Sequence, residues 1–495
     1  MGQGLLFDIQ ELSTTKKSVS SPQGYRGFAA FHKYWGKKPV ECLSYLVEKL
    51  TQEQEVILDP FLGSGLLARQ AFQRNRRFIG IDINPVAIEL SRLLVNPPNK
   101  NEFSKVLRQM EKLVKPKIDK SYRLVDGNTA THFLWNGDEM QSVWCVNGKT
   151  RIESKPTRHD IDLFKQFSDY KTKFIRDLRF FTNSRINASP EMTLSDLLTG
   201  RALYNIDCIL EFIKEQQEDI QKALLMTLTA ASGQMSRMVF AVSKRGKTKG
   251  KIEERISVGS WVIGYWRPKL HFEINVWNCF WQRAMRLIKA LNESHSEKTP
   301  VTTEDCMTVL ESRADIALIK DDARRVLESL PKHSISLILT DPPHSDRIPY
   351  LELSELWNAI LNKEVLFDRE IVVSNARERC KAKDIYVKEM EQFFVDASRV
   401  LSDGGTLAIL FNASDSDSWG YLEALQKKSD SLIFRGCFPM AYSARSVVQD
   451  NRMGALKHDY VLIYEKSCEN RSSENRWKQL SEIDGWSSSL PTKEN

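Results

Sequence analysis

Two short segments of this 495-residue chain carry residue types that could do chemistry together. One is Asp341-Pro342-Pro343-His344, which closes the apolar run Ser336-Leu337-Ile338-Leu339-Thr340. An apolar run that ends in a carboxylate and two prolines reads as a buried strand stopping at a rigid loop. Such a loop would hold Asp341 and the ring of His344 at the open edge of a sheet. There a carboxylate oxygen and the carbonyl of Pro342 can accept the two N–H bonds of a flat heteroaromatic amine. The other segment is Asp59-Pro60-Phe61-Leu62-Gly63-Ser64-Gly65, which follows Val56-Ile57-Leu58. Its glycines let the backbone approach a ligand, and the helix that follows offers free N-terminal amides. Asp82 lies seventeen residues beyond Gly65, at the end of Phe78-Ile79-Gly80-Ile81, where a carboxylate can accept both hydroxyls of a ribose. The spacing fits a nucleoside-containing cofactor. The turn runs into Leu66-Leu67 rather than Gly-Lys-Ser/Thr and lacks a second glycine cradle, which argues against ATP or a dinucleotide.

The elements around these residues alternate between strand and helix. Val56 to Leu58 reads as a strand, Leu66 to Gln73 as a helix and Phe78 to Asp82 as a second strand. A helix over Val86 to Val95 is ended by Asn96-Pro97-Pro98. The alternation resumes near residue 314. Ala317 to Ile319 is a strand, Ala323 to Leu330 a helix and Ile335 to Leu339 the strand into the Asp341 loop. A helix over Tyr386 to Val400, the Gly404-Gly405 pair, a strand over Leu407 to Phe411 and a closing strand over Tyr460 to Tyr464 complete it. This order predicts an α/β fold with a doubly wound, mostly parallel sheet. The roughly two hundred residues between are richer in charge. They show helices near Leu203 to Glu218, Ile220 to Ala231 and Val276 to Leu291, and a hairpin turn at Asn147-Gly148. The expected organisation is an N-terminal arm (1–24), a core split into 25–99 and 306–467, an inserted lobe (100–305) and a polar tail (468–495).

Composition supports a globular protein, with 41% apolar and 27% charged residues and enough length for a core plus one large insertion. No apolar run reaches membrane-spanning length, and the N-terminus lacks the shape of a secretory signal, so a cytoplasmic, nucleoid-associated location is expected. The eight cysteines form no CxxC pair, which argues against a zinc ribbon or a disulfide framework, and no metal is expected.

The motifs resemble those of the class I S-adenosylmethionine-dependent DNA amino-methyltransferases. Asp59 to Gly65 is similar to their D-P-F-x-G-S-G motif, Gly80-Ile81-Asp82-Ile83-Asn84-Pro85 to their second, and Asp341 to His344 to their D-P-P-Y loop, with histidine in place of tyrosine. Asp321-Asp322-Ala323-Arg324 looks like the motif whose carboxylate faces the cofactor's adenine. Phe31-His32-Lys33-Tyr34-Trp35-Gly36-Lys37-Lys38-Pro39 is similar to the H-x-Y-x-x-K segment, and His458-Asp459-Tyr460-Val461-Leu462 to the closing H-x-Y-V/I-L hairpin. The resemblance covers residues 25–98 and 314–466. It implies a seven-stranded Rossmann-like methyltransferase sheet with a mainly helical insertion lobe, and a cofactor, S-adenosylmethionine, held by Tyr34, Lys37, Asp59, Pro60, Phe61, Gly63, Gly65, Asp82, Ile83, Asn84 and Asp322. Asp341, Pro342, Pro343 and His344 would then act on an exocyclic amine of a flipped-out base. Family habit favours adenine N6 over cytosine N4. Imidazole offers less stacking area than tyrosine, so Tyr350 or Trp357 could supply the ring instead. The chain has no Pro-Cys dipeptide, which sets aside C5-cytosine chemistry.

Ser236 to Arg255 holds seven Lys/Arg against two Glu, a local net of +5 within the chain's +7. A mobile basic loop of this kind suits phosphate contacts, so Lys244, Arg245, Lys247, Lys249 and Lys251 are candidate contacts to double-stranded DNA. The aromatic run that follows reads partly as core, with Trp277 and Trp281 spaced i and i+4. An RNA base methyltransferase and a catalytically weak, cofactor-binding DNA-recognition subunit remain as alternatives. A separate restriction or defence-system protein is the expected partner, and no membrane.

Overall fold

The computed structural model describes residues 25–148, 150–242, 256–262, 264–293, 298–344, 348–411, 431–440, 459–467 and 486–490, together with Leu422 and Leu425; at 147, 245–248 and 251–253 it describes the backbone alone. In chain order the first part holds helices α1 (Gly27–Phe31) and α2 (Val40–Leu50), strand β1 (Val56–Asp59), α3 (Leu66–Gln73), β2 (Arg77–Ile81) and α4 (Pro85–Val95). The inserted part carries α5 (Lys100–Leu113), α6 (Lys115–Ser121), β3 (His132–Asn136), β4 (Glu139–Asn147), β5 (Thr150–Ser154), α7 (Gly200–Lys214), α8 (Glu218–Ser232) and β6 (Val239–Val242). It continues through β7 (Arg245–Thr248), β8 (Lys251–Glu253), β9 (Ser257–Trp261), β10 (Leu270–Ile274) and α9 (Val276–Glu293). The last part holds β11 (Thr302–Thr303), β12 (Ile316–Ile319), α10 (Ala323–Ser329), β13 (Ile335–Thr340), α11 (Tyr350–Leu353), α12 (Glu355–Ile360), α13 (Lys383–Val400), β14 (Leu401–Phe411), β15 (Leu432–Met440) and β16 (Asp459–Lys466).

The central sheet runs β11-β12-β2-β1-β13-β14-β16-β15. It is parallel from β11 to β14 and antiparallel where β16 pairs with β14 and β15. Eight strands stand where seven were expected, because Thr302 and Thr303 add a two-residue edge beside β12. Strands buried on both faces read as apolar runs, and the centres of β1 (Val56 to Leu58), β2 (Phe78 to Ile81) and β13 (Leu337 to Leu339) do so. Successive side chains point to opposite faces. Ile57, Leu337 and Leu339 enter the core on one face, and Leu58, Ile338 and Leu407 enter the core on the other with α10 and α13.

Helices make up more of the insertion than strands do, and beside them it contains a six-stranded antiparallel sheet, β5-β4-β3-β10-β6-β9. The strands of this sheet are interrupted by polar residues, which is why periodicity alone showed only the helices. The turn at Asn147-Gly148 is present: Asn147 pairs with Thr150 and Gly148 has φ +59°. The first core runs without interruption from β1 and β13 through α2, α4 and α9 into Phe133, Trp144 and Phe272 of the second sheet. Trp277 is buried, with Trp281 stacked on it at 5.5 Å. Arg245, Lys247 and Lys251 lie on a paired hairpin, β7 with β8, rather than in an open loop; Lys244 and Lys249 fall outside the described residues. So do the expected arm and most of the tail, although Ser487 pairs with Cys437 at the β15 edge and Trp486 stacks on Phe438.

A buried ion pair ties α7 to β10. Arg201 and Glu273 meet through two 2.9 Å bonds, with side-chain exposures of 0% and 2%, and the guanidinium lies 4.1 Å over the ring of Phe133. Removing one partner leaves a buried charge without compensation. Arg201→Ala should therefore lower stability by about 3–5 kcal/mol in urea unfolding, and the double replacement Arg201→Met/Glu273→Leu should recover most of that loss.

Candidate active site

The chain reverses its direction of travel across the sheet between β1 and β13. Ligands in open α/β sheets bind at such switch points, outside the carboxyl ends of the strands. β1 ends in Asp59 and β13 in Thr340, whose hydroxyl donates to Asp59 Oδ1 at 2.8 Å. The Asp59 turn and the Asp341 loop, 282 positions apart, thus open into one cleft of about 990 Å³, open solvent included.

The half of the cleft formed by the Asp59 turn is shaped by glycines. Gly63 (φ +54°) and Gly65 (φ +71°) adopt left-handed backbone. A Cβ on Gly65 would lie 2.7 Å from the Ser91 Cα, so the turn sits directly on α4. Asp82 fixes the turn: Oδ2 accepts the Gly63 N–H at 2.7 Å and Oδ1 the Asn84 N–H at 2.8 Å. Burial raises the Asp82 carboxyl to about 6, against those two bonds. Asp59 is raised to about 7, again mainly by burial, with the bonds from Thr340 and the Phe61 amide opposing it and Asp82 and Asp341 adding to it.

Of the residues expected at the cofactor, Tyr34, Asp59, Pro60, Phe61, Gly63, Asp82, Ile83, Asn84 and Asp322 line the cleft. Asp322 caps α10 and grips Arg324 through both oxygens. Gly65 lies behind the lining, against α4. Lys37 turns away: its Nζ donates to the carbonyls of Ala29 and His32, and burial lowers its pKa to about 8. The neighbouring Lys38 points in instead. Two adjacent lysines before Pro39 give no signal as to which faces inward; the positive φ of Gly36 (+66°) sets it. Arg369 and Glu370, which belong to no motif, line the cleft as well.

At the second loop, Asp341 and Pro343 line the cleft, whereas Pro342 and His344 do not. The His344 ring is tucked edge-on to Phe411, 5.8 Å between centroids, with Nε2 3.2 Å from Asp341 Oδ1. The Pro343 carbonyl accepts the Tyr386 hydroxyl at 2.6 Å. Tyr34, Trp35, Phe61 and Tyr350 are the aromatic residues of the lining, and Tyr350 is nearly parallel to Tyr34 at 22° and 6.4 Å. A Cβ on Gly36 would be 3.3 Å from the Tyr350 hydroxyl and 3.5 Å from Asp341 Oδ2, so this glycine lets the chain pass beside both. Trp357 is core: it packs on Trp35 at 4.9 Å and holds residues 32–39 in place together with the His32–Thr229 bond.

Comparison with known proteins places a name on the motif segment. Residues 6–93 match the DNA methylase family. The type II methyltransferase M2.DpnII of Streptococcus pneumoniae is 38% identical over 71 residues, 14% of this chain and 26% of that protein. The type II methyltransferase M.HpaI of Haemophilus parainfluenzae is 29% identical over 128 residues, 25% of this chain and 40% of that protein. The putative methylase YubD of Escherichia coli (strain K12) is 45% identical over 47 residues, 10% of this chain and 21% of that protein. The chain therefore spans between about a fifth and two fifths of the length of these relatives. Among the described residues no helix is long and apolar enough to cross a membrane.

Gly65→Ala combines a left-handed backbone with a clash against α4, and both effects destabilise. The variant should lose about 2–4 kcal/mol in urea unfolding, whereas Gly148→Ala, which meets open space, should lose about 1 kcal/mol.

Proposed function

We propose that this protein is a site-specific DNA methyltransferase that uses S-adenosylmethionine and acts on the exocyclic amine of a flipped-out base, adenine N6 in preference to cytosine N4. The observation that carries this reading is the single cleft shared by the Asp59 turn and the Asp341 loop, together with the DNA methylase match of its cofactor half. When bound, S-adenosylmethionine supplies an electrophilic methyl group. Asp59, Asp82 and the Gly63 turn would hold it, and the buried carboxylates suit its positive charge. The adenine preference rests on the D-P-P form of the loop.

An exocyclic amine is a poor nucleophile because its lone pair is delocalised into the ring. Asp341 would accept one of its hydrogens and draw that pair onto nitrogen; the carbonyl of Pro342, expected as the second acceptor, belongs to a residue outside the cleft lining and would have to turn inward to take part. The two prolines, and the Tyr386 bond to Pro343, hold the loop that carries Asp341 in place before the substrate arrives. The nitrogen would form its bond to the methyl carbon with its own lone pair as the C–S bond breaks and leaves its pair on sulfur, and would then give up one hydrogen as a proton to water. Tyr350 would stack on the base, the part that the fourth loop residue, His344, is turned away from. The basic hairpin at 245–253 would contact the phosphate backbone. A recognition site and a cognate restriction or defence protein complete the proposal.

Asp341→Ala should reduce transfer of labelled methyl to duplex DNA at least a thousandfold, with the cofactor Kd from calorimetry changed less than threefold. Transfer at the wild-type rate would refute the assignment. Cofactor affinity should also depend on pH. Asp59 and Asp82 carry their charge only above about 7 and about 6, so a cationic ligand binds more weakly as protons neutralise them. Affinity should fall from pH 8 to pH 5.5, and Asp59→Asn should flatten the upper part of that profile.

A further inference from the structure

The Lys38 ammonium lies 2.9 Å from Asp341 Oδ2 and 2.9 Å from Asp459 Oδ2, with side-chain exposures of 9%, 20% and 3% for the three residues. It joins three separate parts of the chain: the segment before α2, the loop after β13 and the first residue of β16. Among the described residues, the two carboxylates and the one ammonium of this bridge sum to a charge of −1. That sign matters for a site that acts on an amine. As the nitrogen lone pair becomes an N–C bond and the pair of the breaking C–S bond stays on sulfur, positive charge grows on the nitrogen until one of its hydrogens leaves as a proton to water. An ammonium beside the acceptor carboxylate would oppose that growth if it stood alone. Asp459 cancels it.

We propose that Lys38 and Asp459 form a charge-neutral clamp that positions Asp341 for amine recognition: Lys38 fixes the plane of the Asp341 carboxylate, and Asp459 keeps the acceptor's negative charge available to the substrate. The inference rests on reading the cleft as a methyl-transfer site. The clamp gives β16 a role at the site, since Asp459 is its first residue. The charged and titratable groups facing Asp341 among the described residues are Lys38 from the 32–39 segment, Asp459 from β16, Asp59 from β1, Tyr350 from α11 and His344 from its own loop.

The clamp separates from a merely structural bridge in the split between turnover and cofactor binding, and in rescue by the conservative variant. Full-length wild type, Lys38→Met, Lys38→Arg and Asp459→Asn would be assayed for labelled methyl transfer from S-adenosylmethionine to unmethylated plasmid DNA at saturating cofactor, with cofactor binding measured by calorimetry. Lys38→Met leaves the Asp341 carboxylate free to turn, so kcat should fall ten- to a hundredfold. Asp459→Asn leaves the ammonium on Asp341 without its counter-charge, so kcat should fall as well. Lys38→Arg, which keeps the cation, should retain roughly a third or more of wild-type kcat. Cofactor Kd should stay within threefold throughout, which also reports that each variant is folded. If Lys38→Met does not bind cofactor, Asp459→Asn and Lys38→Arg carry the test. Wild-type kcat in Lys38→Met and Asp459→Asn, or a Lys38→Arg variant no faster than Lys38→Met, would overturn the clamp while leaving the methyltransferase reading intact. A wild-type protein that binds cofactor and methylates no DNA would overturn that reading, and the clamp with it.

Discussion

The hydrogen bond from Thr340 to Asp59 is the contact on which the rest of the site depends. It links the last residues of two neighbouring parallel strands, β1 and β13, whose register pairs Ile57 with Leu337 and Leu58 with Ile338. A slip of one residue would turn every side chain on β13 to the other face. Asp341 would then leave the cleft, and Leu337 and Leu339 would exchange cores with Ile338. The site is therefore set by sheet pairing, and the two apolar cores enforce the pairing by being different on each face.

Around that junction the chain gathers carboxylates. Asp59, Asp82, Asp322, Asp341 and Glu370 all line one cleft, and such crowding is costly without partners. The structure answers in different ways at different residues. Asp82 is held by backbone amides, Asp322 by Arg324 and Glu370 by Arg379 and the Leu351 amide. Asp59 has its bonds from Thr340 and the Phe61 amide, and burial still lifts it furthest. The Asp59 side is thus held by hydroxyl and amide donors, whereas the Asp341 side contains a cation in Lys38.

Much of the frame was legible in the sequence. β1, α3 and β2 follow directly from a short apolar run, a glycine turn and a second run, because strands buried on both faces leave no polar interruption. Three things were not legible, each for a physical reason. The strands of the inserted sheet are mixed in polarity, so β3 and β10 are recognised only once paired. Lys37 and Lys38 are chemically alike, and only the left-handed turn at Gly36 sends one to backbone carbonyls and the other to Asp341. His344 occupies the position of a stacking ring, but its bond to Asp341 and its packing on Phe411 withdraw it, and Tyr350 covers the cleft from a helix with no motif of its own.

The inserted segment shares its hydrophobic core with one face of the central sheet, from Leu337 through α4 and α9 to Phe272. Such an insertion is not a cassette. Its boundary in sequence is sharp, yet in space there is no plane along which it could be cut and exchanged for the corresponding segment of another protein without re-facing the sheet itself. Substitutions that leave the sheet undisturbed are therefore those on the exposed surface of the segment, while a change in its buried body is felt by the sheet it covers.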